Sequence, residues 1–101
     1  MDRSEILGCV QKGVDYFGIN MMNATYDALE MNDNLSPPEI FEFPEAFVQA
    51  LETVFGPAHV LAQRSIIREM QKGLDEMTGP ASSYSISDAF EIALRHIDRN
   101  P

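Results

Sequence analysis

FPEAFVQALETVFGPAHVLAQRSIIREMQKGL, residues 43–74, decides the fold. Pro44 opens a helix, with Glu45 well placed near its positive end. Phe47, Val48, Leu51, Val54 and Phe55 recur at the three- and four-residue spacing of one helical face. Gly56 closes that helix and Pro57 opens the next, which the periodicity carries to about Met77. At about 100° per residue, Val60, Ile66, Ile67, Met70, Leu74 and Met77 fall in a sector about 120° wide, the expected core side.

The same period runs outward in both directions. Upstream, Ile6, Leu7, Val10, Val14 and Phe17 mark a helix over about 4–17. Gly18-Ile19-Asn20 breaks it, glycine as a left-handed cap and asparagine as the next N-cap. The rival is one helix running on to Met31, roughly 28 residues and about 42 Å long. The second helix spans Asn20 to Met31. Met21, Ala24 and Ala28 lie on one side, Met22 and Leu29 on another, so it is apolar on two sides. Asn32-Asp33-Asn34 ends it. Ser36 and Pro37 then start a short turn. Downstream, Gly79-Pro80 stops the long helix, ASSYS is a loop, and Ser85 with Asp88 resembles a capping box. Ile86, Phe90, Ala93, Leu94 and Ile97 mark the last helix, closed by Asn100 and Pro101. No strict two-residue alternation over five or more positions is flanked by turn signals, so no strand is expected. The reading is one all-α domain over residues 1–101, a compact bundle of five to six helices. Its expected core includes Phe47, Leu51, Phe55, Ile67, Met70 and Phe90.

Composition limits the function. Apolar residues make up 45% of the chain, which is normal for a globule and argues against disorder. Cys9 is the one cysteine, so neither a disulfide nor a cysteine-based metal site can form within the chain. That usage fits a reducing, cytoplasmic setting. The opening MDRSEILGCVQKG lacks the apolar run of a signal peptide, and no stretch has the roughly 18 apolar residues of a membrane span. The net charge is −9 and is uneven: residues 1–56 hold ten Asp/Glu against two Lys/Arg. Such a chain is a poor match for a phosphate backbone.

Against that background Arg64, Arg68 and Lys72 stand out, three basic residues four apart on the long helix, beside the core sector. Three readings are open. They form a solvated face, with Arg68 near Glu69 and Glu76; or they meet the acidic half of their own chain or of a second subunit; or they bind a foreign ligand. His59 falls in the apolar sector, where a packed, hydrogen-bonded histidine is the ordinary case; His96 lies on another helix. Lys12, one turn from Cys9, is expected to lower its pKa slightly, with no paired base for nucleophilic catalysis. Glu39, Glu42 and Glu45 form a carboxylate row without an implied partner. DNLSPPE lacks the ligand spacing of a calcium loop, and no phosphate-cradling glycine loop occurs, so no metal or cofactor is implied. Met21, Met22 and Leu29 are the expected apolar interface if the second helix is not wholly core.

FG at 17–18, YDALE at 26–30, PPEIFEFPEAFVQALETVFGPA at 37–58 and SIIREM at 65–70 resemble a family of small all-helical archaeal domains, the Nitrosopumilus output domain. The shared positions here are Glu39-Ile40, Pro44, Phe47, Ala50-Leu51, Phe55-Gly56 and Ile66-Ile67, with a departure at Pro57. The resemblance implies a cytoplasmic helical domain acting in regulation through a partner, and it implies no catalytic residue. The expectation is a non-enzymatic protein-interaction module, working as a homodimer. The runner-up is a DNA-binding helix-turn-helix regulator using helix 57–77. A small-molecule-binding bundle with a closed, methionine-lined pocket comes third.

Overall fold

A computed structural model describes residues 2–99, with backbone alone at 98 and 99. Among these the chain is helical, with no strand, as the periodicity predicts. Asn100 and Pro101, the predicted closing signals, lie outside the described residues.

Helix α1 is Arg3–Asp15. Its start is a capping box: Asp2 Oδ1 accepts from the Glu5 N–H at 2.9 Å, and Glu5 Oε1 accepts from the Asp2 N–H at 3.4 Å. The break before α2, Met21–Asp33, is real. A single helix of about 42 Å would overrun the longest dimension of the fold, 32 Å. The residues that make the break differ from those expected. Asn20, not Gly18, takes the left-handed conformation, with φ 66°, and its side chain caps nothing. Asp15 does the capping instead, its Oδ1 accepting from the Met22 N–H at 3.0 Å. Asn34, with φ 53°, ends α2, and its N–H donates to the Glu30 carbonyl.

A 3-10 turn, Pro37–Phe41, inserts Ile40 and Phe41 into the core. Glu39 accepts from the Ser36 N–H and hydroxyl, and these bonds hold its carboxyl below the usual range. Helix α3, Pro44–Phe55, buries Phe47, Ala50 and Leu51. Gly56 follows with φ 60° and ψ −140°, a conformation that glycine alone adopts readily. A 3-10 turn over Gly56–Ala58 then leads into α4, His59–Gly73. Helix α4 therefore starts two residues after Pro57 and stops well before Met77. Leu74 is extended, and both Leu74 and Met77 are buried from a non-helical segment. Helical phase and burial agree there without a helix. The loop after Gly79 holds a 3-10 turn, Ala81–Ser83. The capping box expected at the next start is present: Ser85 Oγ accepts from the Asp88 N–H at 3.0 Å, and Asp88 Oδ2 accepts from the Ser85 N–H. Helix α5 is Ile86–Arg99.

One cluster of buried side chains joins these elements, apart from the turn Gly56–Ala58. At its centre Phe90 of α5 lies 5.0 Å from Phe41 and 5.5 Å from Phe47, ring centre to ring centre. Of the expected core residues, Phe47, Leu51, Ile67, Met70 and Phe90 are buried, whereas Phe55 is half-buried. Phe17 and Val60 were expected inside and are 42% and 45% exposed. Phe17 lies two residues beyond the end of α1, and Val60, the second residue of α4, lies on the side of that helix away from its buried residues. Helix α1 packs most closely on α4. Gly13 is the point of closest approach, since a Cβ there would lie 2.5 Å from Ile66 Cα.

Candidate interaction surface

Ala62, Ile66, Ile67 and Met70 turn one side of α4 into the core. The opposite side carries Val60, Leu61, Arg64, Arg68 and Lys72, all exposed. The basic row thus lies across the helix from the core rather than beside it. Lys72 Nζ donates to Glu69 Oε1 at 2.9 Å, so Lys72, and not Arg68, is the partner of Glu69. Arg64 and Arg68 make no hydrogen bond or ion pair among the described residues. They stand one turn apart, roughly 6 Å along the axis. Leu61, 52% exposed, and Val60 add an apolar end to the same face.

Of the expected interface residues, Met22 and Leu29 are 1% and 0% exposed, inside this chain's own core. Only Met21 is half-buried at the surface. The outward row of α2 ends in Met31, which is 85% exposed. Met70 and Met77 are also core, which is the ordinary reading of methionines at helical spacing.

His59 is packed and bonded. Gln63 Nε2 lies 2.8 Å from its Nδ1, and Glu52 Oε1 lies 3.7 Å from its Nε2. No group of three or more His, Cys, Asp or Glu is assembled for a metal among the described residues. Cys9 differs from expectation: burial pushes its thiol up, the Glu69 carboxylate adds to this, and Lys12 opposes it only weakly. Iodoacetamide at pH 8 is therefore expected to alkylate Cys9 more slowly than free cysteine. An equal or faster rate would show the thiol to be activated after all.

A second surface escaped the sequence reading. The end of α2 and the start of α3 enclose an open cleft of about 450 Å³, lined by Asp33, Glu42, Phe43, Pro44, Glu45, Ala46 and Gln49. Phe43 is 50% exposed in it. The one local signal was Phe43 before Pro44, because a residue before proline is held out of the helix. Asp33 and Glu45 are exposed and unpaired among the described residues, whereas Glu42 is held by Arg3 at 3.0 Å. The turn between α1 and α2 also exposes Tyr16 at 80% and Ile19 at 89%, with the Phe17 ring packed on Phe55.

Comparison with protein-family models, curated proteins and solved structures finds no match to this chain.

Proposed function

We propose that this chain is a non-enzymatic regulatory domain that docks an acidic protein surface on the outer face of α4, in the first place that of a second copy of itself. One observation carries the reading. In a chain with 16 acidic residues, Arg64 and Arg68 remain exposed and unpaired among those described. A guanidinium offers a planar fork that suits a carboxylate, and arginine is enriched at protein interfaces. Val60 and Leu61 give that face apolar area to bury. The resemblance over residues 17–70 supports the regulatory part of the reading, and the single cysteine suits a reducing, cytoplasmic compartment. No described helix is long and apolar enough to cross a membrane.

The test is light scattering over a concentration series on the wild type and on the Arg64→Glu/Arg68→Glu variant. The wild type is expected to rise toward twice 11.3 kDa, while the variant stays monomeric. Its stability should stay within about 0.5 kcal/mol of wild type, as surface substitutions do. Equal masses for the two proteins, or an unfolded variant, would overturn the assignment. The exposed α4 also suits the DNA-binding alternative, and salt-dependent DNA binding lost in the same variant would replace the protein reading.

A further inference from the structure

We propose that α4 of one copy is received by the cleft between the end of α2 and the start of α3 of a second copy, with Arg64 and Arg68 placed against Asp33, Glu45 and Phe43. The inference rests on the reading of α4 given above and names its counter-surface.

The chain already shows how this region holds a guanidinium. Arg3 Nη2 donates to Glu42 Oε1 at 3.0 Å, and its Nη1 donates to Glu42 Oε2 at 3.2 Å and to the Pro38 carbonyl at 2.7 Å. The Arg3 guanidinium also lies 5.6 Å from the centre of the Phe41 ring. A carboxylate beside an aromatic face is thus a working arginine seat, by charge-assisted hydrogen bonds and cation–π attraction. Asp33, Phe43 and Glu45 lie next to it in the same cleft, and neither Asp33 nor Glu45 is in an ion pair among the described residues.

The two surfaces match in number and sign. Two unpaired arginines face two unpaired carboxylates. Exposed Leu61 and Val60 face the half-exposed Phe43 and the adjoining Ala46. They also sit on different elements: α4 packs on α1, α3 and α5, while the cleft is formed by α2 and the start of α3. A second copy brings them together as a two-fold pair with the contact made twice. Opposed charges of this kind fix register and partner choice.

The experiment is charge-swap complementation read by sedimentation, with circular dichroism to confirm each fold. Arg64→Glu/Arg68→Glu and Asp33→Lys/Glu45→Lys are each expected to weaken self-association about tenfold or more. Mixed in equal amounts, they should associate again. Because Glu45 lies in the first turn of α3, Asp33→Asn/Glu45→Gln serves as the milder second variant and should weaken association in the same direction. If both cleft variants associate like wild type while the α4 variant does not, the cleft is wrong and the reading of α4 stands. If the α4 variant also matches wild type, or wild type is monomeric throughout, both fall. A mixture that stays monomeric overturns direct pairing of the two surfaces.

Discussion

Phe90→Ala is expected to cost this domain about 3–5 kcal/mol. The ring is fully buried and lies against both Phe41 and Phe47. It joins α5 to the 3-10 turn and to α3, so truncation leaves a cavity bordered by three elements that cannot all close on it. A domain typically has about 5–15 kcal/mol of stability in total, so the loss removes from about a fifth to all of it. Urea unfolding should show a much lower midpoint with an unchanged slope. A loss under about 1 kcal/mol, against the 3–5 expected, would show that the three rings do not pack as described. The half-buried Phe55 should lose clearly less on the same change, although the spacing alone ranks Leu51 and Phe55 together.

The second large effect comes from adding atoms. A Cβ at Gly13 would lie 2.5 Å from Ile66 Cα and 2.7 Å from Ile66 N, both backbone atoms that no rotamer change can move. Helices α1 and α4 must separate to admit it. Gly13→Val is expected to cost about 3 kcal/mol or more. Gly13→Ala costs less, because better helix propensity returns up to about 1 kcal/mol. Gly8 provides the control within the same helix. Nothing lies within 4 Å of a Cβ there, so Gly8→Ala should stabilise by about 0.5–1 kcal/mol. Thermal unfolding of the two alanine variants should therefore shift in opposite directions. Shifts of the same sign would show that α1 and α4 do not approach at Gly13.

Signals held within a few residues were the ones that could be read from the chain. Ser85 with Asp88, the Gly56-Pro57 corner and the four-residue spacing of Arg64, Arg68 and Lys72 each depend only on neighbours. The break after Phe17 was legible, but its agent was not, because Asp15 reaches across the turn to Met22. The exit of α4 misled for a different reason: Leu74 and Met77 keep the helical phase while the backbone has already left the helix after Gly73. Periodicity reports burial, and here tertiary packing supplies burial without helix. Phe17 fails in the opposite sense, in phase but past the end of α1, and Val60 fails because the buried side of α4 is centred away from it. Asp33 and Phe43 form one cleft only because α2 packs on α3. No local pattern carries that.

The Gly13–Ile66 approach also sets the order in which this domain can be built. Helix α1 leaves the ribosome first, and its chief partner, α4, follows only after α2 and α3. Until His59–Gly73 has been made, Ile6, Val10 and Val14 lack the surface that covers most of them in the finished fold. Closing so distant a pair costs loop entropy before any contact repays it. A nascent chain stopped after α3 therefore still holds the apolar face of α1 open to whatever chaperone or neighbouring chain reaches it first.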